Sequence, residues 1–114
     1  RVADLKRILD PLNQDLERVG RPFAHRVWQA MEDYVAFYPG TTQKDFNAAL
    51  ADQIEMKIMP KLNGLEMDMQ GFAEVKNVLK EIMAKLDDES LTSAFDTSCD
   101  TSHSSFFKWR GVMR

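Results

Sequence analysis

The sequence predicts an all-α fold, a small bundle of four or five helices with a possible place for a short strand at the C-terminal end. Three observations predict it. Apolar residues recur at three- and four-residue spacing through most of the chain, Gly and Pro fall mainly between those runs, and 114 residues suffice for one domain with a modest core.

Val2, Leu5, Ile8, Leu9, Leu12, Leu16 and Val19 keep helical spacing. Asp10-Pro11 interrupts them with a residue that caps helices and one that favours a first turn, which predicts two short helices or one kinked helix ending at Gly20. A second helix is expected from about Phe23 to Phe37, carrying Val27, Met31, Tyr34 and Val35 on its apolar face, and Tyr38-Pro39-Gly40 stops it. Thr42 and Asp45 resemble a capping box ahead of a third helix. Behind it Phe46, Leu50, Ile54 and Ile58 fall at successive four-residue steps until Pro60 ends or kinks the run, and Lys61-Leu62-Asn63-Gly64 leads away. The fourth helix places Phe72, Val75, Val78, Leu79, Ile82, Met83 and Leu86 on one face and Lys76, Lys80, Glu81 and Lys85 on the other. Residues 87–105 are acidic and rich in Ser and Thr, the composition of a solvated loop. In the SFFKWRGVMR that follows, Phe106-Phe107-Lys108-Trp109 suits a short strand. The methionines Met31, Met56, Met59, Met67, Met69, Met83 and Met113 read as fillers of a small helical core.

Composition narrows the function classes. The chain is 44% hydrophobic and 29% charged, as soluble globular domains are, and its formal net charge of −3 excludes a whole-surface grip on nucleic acid. Any such contact is local. A single cysteine, Cys99, excludes an internal disulfide and fits a reducing compartment. No apolar run approaches the roughly 18–20 residues that span a bilayer, so no membrane partner and a cytoplasmic location are expected. The sequence opens at Arg1 without a methionine, within a helical pattern, which points to a piece of a longer polypeptide.

Motifs for phosphate-cradling loops, dinucleotide turns, paired zinc-binding histidines and paired cysteines are all lacking, and His25 and His103 lie far apart in the sequence. No catalytic residue and no metal ligand are assigned. Two clusters remain. Arg21, His25 and Arg26 gather where a loop becomes the second helix, although the macrodipole there favours anions. They read either as a solvated helix start paired with acids elsewhere or as a sensor of an incoming phosphate, which the guanidinium fork suits. The tail groups Phe106, Phe107 and Trp109 with Lys108, Arg110 and Arg114. Its rings either complete the core, or Lys108, Trp109 and Arg110 contact a nucleic acid or a partner.

The order of the pieces carries a resemblance. LNQDL in the leader helix, then GRPFAHRVWQAMEDYV, then ALADQIEMKIMPKLNG, and finally FFKWRG resemble the C-terminal helical lid of McrB-type AAA+ NTPases, closely over residues 10–64 and loosely over the last ten residues. The resemblance implies a lid that folds over ATP or GTP with Mg2+ held by the AAA+ core of the same polypeptide. Its partners would be that core, neighbouring subunits of a ring, a nuclease subunit and, indirectly, DNA, in restriction or phage defence. By the same resemblance Arg26 is the nucleotide-sensing arginine (sensor 2), with Arg21 as its rival and His25 shaping the pocket. The alternative is a helical protein-interaction or dimerisation module without nucleotide binding, in which the apolar faces of the third and fourth helices continue into a groove.

Overall fold

In α1, Val2–Arg18, the leucines Leu5, Leu9, Leu12 and Leu16 fall on one face and are fully buried. That stripe is the wall against which the domain is assembled. The structure, a computed structural model, describes residues 1–113. The helix runs through Pro11 without a break, in contrast to the two short helices offered as one expectation. Burial of Leu9 and Leu12 on either side of the proline holds the helix together at that point. It ends in a Schellman turn: Gly20 N–H donates to Glu17 O (3.1 Å) and Arg21 N–H to Leu16 O (2.8 Å). Gly20 supplies the left-handed backbone, φ +78°, that this turn needs.

Helix α2 spans His25–Phe37 and buries Met31 and Val35. Helix α3 spans Gln43–Gln53 behind a reciprocal cap, in which Asp45 N–H donates to Thr42 Oγ1 (3.1 Å) and Thr42 N–H to Asp45 Oδ2 (3.1 Å). Those Thr42 hydrogen bonds hold the Asp45 carboxyl below its usual range. Between α2 and α3 the Tyr34 hydroxyl donates to Asp52 Oδ2 at 2.7 Å, and that bond is the largest cause pushing the phenol up to about 12.

Beyond Gln53 the chain widens into a π turn, Ile54–Ile58, and then tightens into a 3₁₀ turn, Met59–Leu62, with Pro60 near its start. The four-residue repeat of Phe46, Leu50, Ile54 and Ile58 drifts by about 40° per step on a 3.6-residue helix. The wider turn takes up that drift, so all four stay buried. Gln53, just before it, is 1% exposed, and neither amide atom has a partner among the described residues.

Helix α4, Phe72–Leu86, follows an irregular stretch and buries Phe72, Val75, Leu79, Ile82, Met83 and Leu86. Helix α1 packs on α2 and α4, and α3 packs on the same two, so four helices close a ring of contacts. Among the methionines, Met31, Met59 and Met83 are buried and Met67 and Met69 pack against the core, but Met56 and Met113 are exposed and fill nothing.

Two sequence expectations are corrected beyond α4. Residues 87–105 are not a loop throughout, because Glu89–Ser98 form helix α5, capped by the Asp88 carboxylate accepting from Leu91 N–H at 3.0 Å. Leu91, Ala94, Phe95 and Ser98 bury its inner face against α4. The tail forms no strand among the described residues. Its only ladder element is an isolated antiparallel bridge between Phe106 and Glu66, since the facing stretch between the 3₁₀ turn and α4 is too irregular to extend the pairing.

Pro11 withholds one helix hydrogen bond in the middle of α1 and is itself exposed. Replacing it with alanine is expected to raise stability by about 1–3 kcal/mol, read as a shift of the urea midpoint with unchanged slope.

Candidate functional site

From the end of the 3₁₀ turn to Leu65 the local bonds are only Asn63 N–H to Pro60 O (3.2 Å) and Leu65 N–H to Leu62 O (3.1 Å), so the other polar groups find partners from elsewhere in the chain. Arg21 supplies the first set. Its Nη1 donates to Lys61 O at 2.7 Å and to Asn63 O at 3.0 Å, across forty residues of sequence or more. The tail supplies the second. Gly64 N–H donates to Phe107 O (2.9 Å), Phe107 N–H to Leu65 O (2.7 Å), and Met67 N–H to Ser105 O (2.7 Å). The Asn63 side-chain oxygen accepts Trp109 N–H at 2.7 Å. Gly64 sits at φ +86°, and a Cβ there would stand 3.9 Å from the Arg21 guanidinium.

The tail is fixed from its other side as well. The buried Ser98 hydroxyl donates to Ala94 O (2.9 Å) and accepts Arg110 N–H (3.0 Å). Phe107 is 1% exposed, with ring centroids 6.0 Å from Phe95 and 6.2 Å from Phe72. The reading of the tail as a core-closing segment therefore applies to Phe107 and, half-buried, to Trp109. Phe106, Lys108 and Arg110 stay exposed, and Arg114 lies outside the described residues.

The connector into α2 is anchored by Phe23. Its N–H donates to Asn13 Oδ1 at 2.7 Å, and its buried ring meets Trp28 edge-on at 5.3 Å. The α2 N-cap is Ala24, which has no side-chain oxygen to offer, and the first turn holds no acid. His25 and Arg26 are exposed there, and neither side chain has a hydrogen bond or ion pair among the described residues. The three residues thus separate by role. Arg21 is bound to backbone carbonyls; His25 and Arg26 face solvent at a helix start that has no side-chain cap.

Sequence reasoning singled out Arg21 and Trp109 without linking them, and the structure brings both to Asn63. Asn63 itself was missed as a hub, and its only signal was its place in the KLNG phrase. Cys99 is half-buried, and burial pushes its thiol up to about 11, which leaves it inert as a nucleophile near neutral pH. Among the described residues no group of three or more His, Cys, Asp or Glu is placed to hold a metal ion, and no helix is long and apolar enough to cross a membrane.

The two arginines are expected to part in unfolding experiments. Arg21→Ala strands two carbonyls and lowers stability by about 1–3 kcal/mol, whereas Arg26→Ala stays within about 0.5 kcal/mol of the parent, both read by urea titration of the helical circular dichroism.

A family model described as a domain of unknown function, DUF8727, matches residues 2–106. No curated protein and no solved structure matches the chain. With nearly the whole chain covered by that match, the protein belongs to the DUF8727 family.

Proposed function

We propose that this domain is a helical lid that closes over a nucleotide held by an AAA+ core of the McrB type, with Arg26 as the group that meets the phosphates. The observation that carries the reading is the state of Arg26: exposed, without a side-chain partner among the described residues, and in the first turn of a helix whose N-cap gives no side-chain bond. A cation there opposes the macrodipole by roughly 0.3–1 kcal/mol, a cost that an arriving anion reverses. Further support comes from the phrases that carry the resemblance. GRPFAHRV, KIMPKLNG and FFKWRG are far apart in sequence and are hydrogen-bonded into one junction through Arg21, Asn63 and Gly64.

The residues present fit a polyphosphate. No side chain caps the first turn, the guanidinium offers a planar fork, and no acid stands in that turn to repel the charge. ATP or GTP with Mg2+ would supply the transferable phosphoryl group and the charge that the lid senses. Arg26 would pair with its terminal oxygens and stabilise charge as it develops, while His25 shapes the rim. Helix α2 is suited to move as one body. Its inner face is packed on α1 and α3, and the Arg1 guanidinium donates to Val35 O (3.2 Å), Tyr38 O (2.8 Å) and Gly40 O at its far end. In such a motor the core, the ring neighbours, a nuclease subunit and its DNA are the partners.

In the polypeptide that carries this lid beside its Walker motifs, Arg26→Ala is expected to lower nucleotide hydrolysis by about 10- to 1,000-fold with unchanged thermal unfolding. Unchanged turnover, or a reading frame without Walker motifs, would remove the assignment.

One observation favours the second reading, an interaction module. A groove of about 420 Å³ between α1, α3 and α4 is lined by Ile8, Pro11 and Val78 beside the charged Arg7, Glu81 and Lys85. That reading predicts concentration-dependent self-association in sedimentation velocity, abolished by Val78→Glu, and a strictly monomeric chain counts against it.

A further inference from the structure

The described part of the tail alternates. Phe107 is buried and Trp109 half-buried, while Phe106, Lys108 and Arg110 are exposed, which is the period of an extended ribbon with one face on the protein and one in water. The inward face is held by Phe107 in the core and by the bonds from Trp109 to Asn63 and from Arg110 to Ser98. The outward face is therefore presented on a fixed backbone. Phe106 is 55% exposed, less than Phe37 at 85%, and differs from that ring in having two cations on the same outward face.

Phe106, Lys108 and Arg110 line one cleft of about 400 Å³, with Ser98, Ser104 and Asp100 on its other walls. Asp100 is the only acid among the residues lining this cleft, and the exposed Glu66 stands across the isolated bridge from Phe106. Hydrogen bonds from Ser102 are the first cause of the lowered pKa of Asp100 and the Arg110 charge lowers it further, so it stays ionised and a strand's phosphates compete with it for Arg110. An exposed ring with a cation two and four residues on is the arrangement that stacks one base and meets the phosphates following it. Duplex DNA offers no free base face to the ring, whereas a single strand does.

We propose that this ribbon binds single-stranded nucleic acid, with Phe106 as the stacking platform and Lys108 and Arg110 as the phosphate contacts. The proposal is independent of the lid reading, because its residues lie on the tail and involve neither Arg26 nor the nucleotide. Trp109, the aromatic residue singled out in the sequence, is a positioning residue here, its face turned to the core.

The test is fluorescence anisotropy of the full 114-residue chain with labelled oligo-dT, oligo-U and a duplex of the same length. Both single strands are expected to bind, and more tightly than the duplex. Two phosphate contacts give a slope of about −1.4 in log affinity against log salt, a loss of about seven-fold from about 50 to about 200 mM. Phe106→Ala is expected to weaken binding about ten-fold without changing that slope, and Lys108→Gln with Arg110→Gln to flatten it. All three side chains are exposed, so circular dichroism of the variants should match the parent. Absence of salt-dependent binding to either single strand, a preference for the duplex, or an unchanged affinity in Phe106→Ala would overturn the proposal.

Discussion

The domain depends on satisfying the backbone between Lys61 and Leu65. Helices α1 to α4 look after their own interior amides and carbonyls, but this stretch includes the end of a 3₁₀ turn and satisfies only part of its backbone locally. Its partners come from opposite ends of the chain: a guanidinium just past α1 and the main chain of the tail. Each contact is a single hydrogen bond of modest net worth, about 1 kcal/mol. Together they fix the angle at which the α2 connector leaves α1 and the path by which the tail returns over Phe95. The candidate phosphate-facing helix start and the outward ribbon are thus two exposed edges of one internal junction.

The long helices were legible because their signal is local. One leucine stripe specifies α1, and a reciprocal Thr–Asp cap announces α3. Helix α5 was hidden by composition. Ser90, Ser93 and Thr97 occupy its outer face and obscured Leu91, Ala94 and Phe95, whose spacing is helical and whose burial against α4 outweighs weak intrinsic propensity. Pro11 left two short helices and one helix both open, and flanking burial decided for one. At the site, the position of Arg26 could be read from the punctuation before it. The division of work between Arg21 and Arg26 could not, because it rests on carbonyls forty residues downstream that no periodicity reveals.

The end of α3 shows a similar tension between local and global demands. A strict four-residue apolar repeat drifts around a 3.6-residue helix, and the chain takes up the drift by widening one turn. Gln53 stands where the winding changes, buried with both amide atoms unpartnered among the described residues, at a cost of about 1–3 kcal/mol. Tight packing of Leu50, Ile54, Ile58 and Met59 around the same region offsets it.

The grip of Arg1 on the carbonyls at the end of α2 has an electrical result. A positive group sits at the helix's negative pole, where it is stabilising, while the positive pole ends at Ala24 with no counter-charge from a capping side chain. The helix is therefore a rod quenched at one tip only, and the field it projects into solvent emerges at His25.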